Sequence, residues 1–320
     1  ALMLATFAFA QRQITISFVE TSDVHGNYLP YDFINGRPGE GGLARVCTYV
    51  EKLRNKQGKD RVVLLDNGDI LQGQPTAYYY DYIDTTSTHL CAEVLNFMHY
   101  DAGTVGNHDV ETGHAVYDRW VSQCRYPVLG ANVIDVRSGK PYWKPYTILK
   151  RQGVRIAVLG MITPCIPMWL PQNLWENLRF DDQEAIARQY MPEMQRQADV
   201  IVGLFHSGVG NDTVTTPRAE HAAVAVARRV PGFDVVFCGH DHRKAHRLVQ
   251  NVAGKEVLVL NPAANAHAVA QADVTLTLKG KKVIDKKVQG RVVSVLNEQP
   301  HAGFMQHFAK QYAVSYAPQR

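Results

Sequence analysis

The sequence predicts an α/β fold with at least one sheet covered by helices on both faces, and three observations carry that expectation. Short β-branched apolar runs alternate with segments of helical periodicity along most of the 320 residues, the pattern of strands joined by crossover helices. Beyond residue 265 the period changes to two, as it does in antiparallel strands. Composition agrees: 46% hydrophobic and 20% charged residues suit a globular chain with one large core or two smaller ones.

In chain order, the first strand is ITISFVE (14–20) and the first helix GLARVCTYVEKLRNK (42–56). RVVLLD (61–66), AGTV (102–105) and YPVLGANV (126–133) read as strands, with helices THLCAEVLNFMHY (88–100) and GHAVYDRWVSQC (113–124) among them. Further on come strands RIAVLGMI (155–162), VIVGLF (200–205), DVVFCG (234–239) and EVLVLN (256–261), with helices DQEAIARQYMPEMQRQ (182–197) and TPRAEHAAVAVARRV (216–230). AVAQADVTLTL and KKVIDKKVQGRVVSVL alternate about a Lys-rich turn and predict a closing hairpin. The tail, 299–320, predicts a short helix or linker.

The formal charge of +4 is spread among carboxylates, so composition makes no case for a nucleic-acid surface. Five cysteines without tight spacing do not form a disulfide framework. Residues 1–10, ALMLATFAFA, end in Ala-Phe-Ala before Gln11 and read as the remnant of a secretory signal, with a buried first element as the alternative. The expectation is an exported protein, periplasmic or secreted, without a membrane span.

Five strands end in metal-ligand or proton-transfer residues: Ser22-Asp23-Val24-His25, Asn67-Gly68-Asp69, Gly106-Asn107-His108-Asp109, Phe205-His206-Ser207 and Gly239-His240-Asp241-His242. Loops at the carboxyl ends of strands converge on one rim of an open sheet. Any one motif alone reads as a turn or a helix cap. Together they offer more oxygens and imidazoles than one ion needs and suit two ions sharing a carboxylate. Trp169 and Trp175, in PCIPMWLPQNLW after a strand, are candidates for a substrate wall; Tyr78, Tyr79, Tyr80 and Tyr82 could stack on a base or simply pack. His114, His221, His246 and His267 belong to no motif and read as solvated or supporting residues.

In this order, D-x-H, G-D, G-N-H-D, H-S-G and G-H-D-H resemble the calcineurin-like metallophosphoesterases. Gly41-Gly42-Leu43-Ala44-Arg45, Asp69-Ile70-Leu71-Gln72-Gly73 and Asn261-Pro262-Ala263 are similar to the branch of 5'-nucleotidases and 2',3'-cyclic-nucleotide 2'-phosphodiesterases. The resemblance implies a metallo-dependent phosphatase fold, a four-layer αββα sandwich of two mixed sheets, over residues 11–298. It implies two divalent ions (manganese, zinc or iron): Asp23, His25 and His242 would hold one, Asn107, His206 and His240 the other, and Asp69 would bridge. His108 would act on the phosphate beside Asn107, oriented by Asp109, in an in-line hydrolysis of nucleotides by metal-activated water. Nucleotidases of this branch continue into a nucleoside-binding C-terminal domain, so the resemblance leaves three alternatives: that domain is a partner on a separate chain, the sequence is a fragment, or the substrate is recognised differently. The alternatives are an exported hydrolase of sugar phosphates or sulfur compounds, and a binding protein retaining the fold.

Overall fold

The computed structural model describes residues 11–211 and 219–316. Residues 1–10, with the expected signal remnant, and Thr216-Pro217-Arg218 of the expected fifth helix lie outside the described residues.

Two six-stranded mixed sheets face each other. One runs Lys282–Ser294, Ala268–Lys279, Gln11–Thr21, Val62–Asp66, Ala102–Thr104, Val128–Leu129; the last four strands are parallel, and the C-terminal hairpin adds antiparallel to Gln11–Thr21. The other runs Lys244–Gln250, Glu256–Pro262, Val235–Cys238, Val200–His206, Val154–Ile162, Tyr146–Arg151, with four parallel strands inside two antiparallel edges.

Alternation along each strand assigns its residues to different layers. Phe18, Val63 and Leu65 meet Val158, Val202, Leu204 and Phe237 between the sheets. Val19, Val62 and Leu64 face outward, under the helices Leu43–Gln57, Leu90–Met98 and His114–Gln123. Ile201, Phe205 and Val236 face outward on the second sheet, under Gln183–Gln197 and Ala223–Arg229. The result is the expected αββα sandwich.

The local differences have physical causes. YPVLGANV divides into Val128–Leu129 and Val133–Asp135 because Asn132 between them bonds the backbone of Ile162 and Asp181 instead of continuing the ladder. Tyr146–Arg151 and Lys244–Gln250 are edge strands; the second, KAHRLVQ, is largely exposed and so carries no apolar run. The expected 216–230 helix begins only at Ala223, since Ser207 holds the backbone ahead of it: its hydroxyl donates to the Glu220 carbonyl and accepts from Ala222 N–H. None of the five cysteines is in a disulfide.

The tail is docked. Ala302–His307 is capped by the His301 ring, and Phe304 and Phe308 are fully buried against the first core layer. Phe304→Ala is expected to cost about 3–5 kcal/mol, as core Phe truncations do, and to lower the midpoint of urea unfolding; an unchanged midpoint would mean that the tail is dispensable.

Candidate metal centre

Strands of both sheets deliver their last residues to one rim. Asp23 and His25 follow the Gln11–Thr21 strand, Asp69 follows Val62–Asp66, and Asn107 follows Ala102–Thr104. His206 ends its own strand, and His240 and His242 follow Val235–Cys238. The loops are laced together: Asp23 N–H donates to Gly68 O at 3.0 Å, His25 N–H to Asp69 O at 2.9 Å, and His240 N–H to the Asp23 carboxylate at 3.0 Å. A Cβ on Gly239 would lie 1.9 Å from Ser22 Oγ, and one on Gly106 would lie 2.1 Å from Asp69 Oδ1. Glycine is therefore required at both positions for the loops to close.

Eleven described non-glycine residues adopt positive φ, and five of them are Asp23, His25, Asp69, His240 and His242. Left-handed backbone costs about 1–2 kcal/mol for a residue with a Cβ. Concentration of such strain on the proposed ligands marks a functional site.

Two ligand sets form. The ligand atoms of Asp23, His25 and His242 lie within 4.8 Å of one another, as do those of Asp69, His206 and His240. In the first, His25 Nε2 and His242 Nε2 are 3.0 Å apart, and His242 Nε2 is 3.2 Å from Asp23 Oδ1. In the second, Asn107 Oδ1 lies 3.2 Å from His206 Nε2 and 2.8 Å from His240 Nδ1, and Asp69 Oδ2 is 3.2 Å from His206 Nε2. His206 donates Nδ1–H to Asn67 O at 2.7 Å, which fixes its tautomer and leaves Nε2 to the site.

Buried carboxylates facing several imidazoles fit divalent cations of borderline softness. Burial holds His25 and His240 below the ordinary imidazole range, in the neutral form that coordinates metal. Burial pulls His206 the same way, but the Asp69 carboxylate prevails and holds it up at about 10. Asp69, despite its burial, is held well below the carboxylate range by His206, His108 and His25. His206 Nε2 thus lies between Asp69 and Asn107, where a cation would serve the same electrostatic end.

His108 stands at the mouth with its side chain 37% exposed, its ring edge-on to His25 at 5.5 Å. The structure corrects the role expected of Asp109. That carboxylate is fully buried and accepts four backbone N–H groups, from Gly106, Asp69, Ile70 and Leu71, at 2.7–2.9 Å. It ties two site loops together and has no hydrogen bond to the His108 ring. Glu111 Oε2 meets His108 Nδ1 at 2.5 Å instead. The signal was present: Asn107–Val110 is a helical turn, on which residues three apart are neighbours and adjacent ones are not.

The two tryptophans separate. Trp169, 41% exposed, stacks on His240 with centroids 5.5 Å apart and planes at 27°. Trp175 is partly buried, donates Nε1–H to Leu170 O and packs against Phe180, so it braces the loop and does not form a wall. Tyr80 is buried, whereas Tyr78 and Tyr82 are exposed and pack on each other at 5.0 Å. Asp241 accepts from Val209 N–H and Asn261 Nδ2 and is turned away from the ligand sets. His114 pairs with Asp118, and His246 bonds Gly290 O. Glu220, which no motif marks, reaches His240 Nε2 at 2.9 Å.

Residues 16–244 match the family model for calcineurin-like phosphoesterases. The chain is 31% identical over 252 residues to a 2',3'-cyclic-nucleotide 2'-phosphodiesterase/3'-nucleotidase of Yersinia enterocolitica, covering 75% of this chain and 38% of that protein. It is 29% identical to the trifunctional nucleotide phosphoesterase protein YfkN of Bacillus subtilis, covering 90% of this chain and 20% of that one. The chain therefore spans two fifths or less of either relative. The crystal structure of calcineurin-like phosphoesterase YfkN from Bacillus subtilis superposes with a TM-score of 0.82 at 26% identity, over 95% of this chain and 98% of that one. With nearly three quarters of its length matched and its fold shared almost from end to end, this chain belongs to the calcineurin-like phosphoesterase family.

Proposed function

We propose that the chain hydrolyses nucleotide phosphoesters, as a 5'- or 3'-nucleotidase, a 2',3'-cyclic-nucleotide phosphodiesterase or both, with two divalent ions and Asp69 between them. The observation that carries this reading is the pair of ligand sets on one rim with the His108–Glu111 pair beside them. Relatives named for nucleotide hydrolysis support the substrate class.

Bound divalent ions would neutralise phosphoryl oxygens and supply a water acidic enough to attack phosphorus near neutral pH. The chain's own residues do the rest. Asp23, Asp69 and the four imidazoles fix where the phosphate sits; Asn107, with Oδ1 turned to His206 and His240, leaves Nδ2 to donate to a phosphate oxygen. Glu111 holds the His108 ring through Nδ1 and fixes its orientation. Nε2–H then faces the mouth, where it stabilises charge on the phosphoryl group or passes its proton to the leaving oxygen.

Trp169 would form the base wall. Stacking is worth about 1–3 kcal/mol per base, so Trp169→Ala should raise KM for nucleotides by roughly 5- to 150-fold with KM for a sugar phosphate unchanged. Equal effects on both substrates would remove Trp169 from base recognition.

The test is a screen of manganese- or zinc-loaded protein against 5'- and 3'-nucleotides, 2',3'-cyclic nucleotides, sugar phosphates and sulfur esters. Indifference to all the nucleotides would overturn the reading. Export completes the proposal; no described helix is long and apolar enough to cross a membrane.

A further inference from the structure

We propose that Glu220 is a positioning residue that fixes His240 for one of the two ions, and so sets the affinity of that ion separately from the other. The inference rests on the two-ion reading above.

His240 is constrained on three sides. Its Nδ1 faces Asn107 Oδ1 at 2.8 Å, its ring lies against Trp169, and its Nε2 meets Glu220 Oε1 at 2.9 Å. Both partners are acceptors, so the ring can offer Nδ1 to a cation beside Asn107 Oδ1 only with its proton on Nε2, where the Glu220 carboxylate accepts it. His206 has the opposite arrangement, with Nδ1–H on the Asn67 carbonyl and Nε2 presented. The two imidazoles of one ligand set thus bind through different nitrogens, one backed by a neutral carbonyl and the other by an anion. An anionic acceptor makes the imidazole a stronger donor to a cation. His25 and His242, the imidazoles of the other set, face each other, and among the described residues the carboxylate that pairs with His242, Asp23, is itself in their ligand set.

Glu220 is not free to wander. Ser207, next to His206, donates its hydroxyl to the Glu220 carbonyl at 2.7 Å and accepts Ala222 N–H at 3.0 Å. One strand end therefore supplies a ligand and clamps the backbone that carries the residue supporting a second ligand.

Glu220, His221 and His240 also place three ligand atoms within 4.8 Å, which suggests a third cation. The geometry favours positioning instead. A cation there would need the proton that His240 shares with Glu220 at 2.9 Å, whereas His221 Nε2 is 3.7 Å from the same carboxylate.

The test is competition of bound manganese against a chelator, with the metal-to-protein ratio measured at each step in wild type, Glu220→Gln, Glu220→Ala and His221→Ala. Glu220→Gln keeps an acceptor and loses the charge. The expected result is two ions in wild type, with one of them weakened about 10-fold in Glu220→Gln and about 100-fold in Glu220→Ala, the range for lost support of a metal-bound histidine. The other ion keeps its affinity, and His221→Ala matches wild type. Unchanged affinities in both Glu220 variants would overturn the inference, as would equal weakening of both ions. Loss in His221→Ala equal to that in Glu220→Ala would overturn it in favour of a third cation site. Wild type holding fewer than two ions would overturn the two-ion reading itself. Thermal unfolding of the metal-free variants at the wild-type midpoint is expected, because Glu220 is half-exposed; a collapse there would assign it a merely structural role.

Discussion

Asp69→Ala is expected to abolish the proposed hydrolysis, with turnover falling on the order of 10⁴-fold or more, as when a centre that acts as one unit loses a member. The reasons lie in what this carboxylate touches. It is 1% exposed, sits 3.2 Å from His206 Nε2 and accepts His108 N–H at 2.7 Å. Its charge acts on His25 as well as on His206, so its loss removes anionic charge from both ligand sets at once. Without it His206 no longer has the carboxylate that holds its pKa up, and the site loses the anionic charge that would offset two neighbouring cations. Metal analysis should therefore show both ions depleted, not one. Asp69→Asn separates charge from shape: it keeps an oxygen for the His108 N–H, and if charge is what matters it should still lose metal. An active, metal-replete Asp69→Ala would remove the carboxylate from the mechanism.

His108→Ala is the complementary case. The ring stands outside both ligand sets and pairs with Glu111, so metal content should stay at the wild-type value. Turnover should fall by about 10²–10⁴-fold, the usual contribution of positioned proton transfer. Glu111→Gln should fall in the same direction by less, since the amide keeps an acceptor for His108 Nδ1–H but lacks the charge. Asp109→Asn should behave differently from both. Its four N–H acceptor bonds hold the Asp69 and Asn107 loops, and its replacement is expected to loosen metal binding before it alters proton transfer. Substrates with a good leaving group, such as a nitrophenyl phosphate, should be much less sensitive to His108→Ala than a nucleotide; equal sensitivity would exclude proton donation to the leaving oxygen. Unchanged turnover on both would refute the role of His108.

These two predictions also mark how far the sequence could be read. Residues such as Val158 and Val202 sit in apolar runs because the parallel strands are covered on both faces, so those strands were visible. The edge strand KAHRLVQ was not, because an exposed edge needs no apolar run. The proposed ligand residues were visible as motifs because each ends or follows a strand at the rim. Glu111 and Asp109 were not told apart, since both are carboxylates just after His108 and only the helical turn decides which one reaches the ring. Glu220 could not be seen at all: it contacts His240 across twenty residues of sequence, through a loop held by Ser207. Trp169 and Trp175 share one Pro-rich loop, and only the fold shows that one lies on a ligand while the other braces the loop.

Anomalous scattering from a crystal of the protein loaded with manganese tests the central claim most directly. Two peaks are expected, about 3.5–4 Å apart as in two-metal sites, one among Asp23, His25 and His242, the other among Asn107, His206 and His240, with Asp69 between them. A single peak, or two peaks without Asp69 in reach of both, would contradict the account.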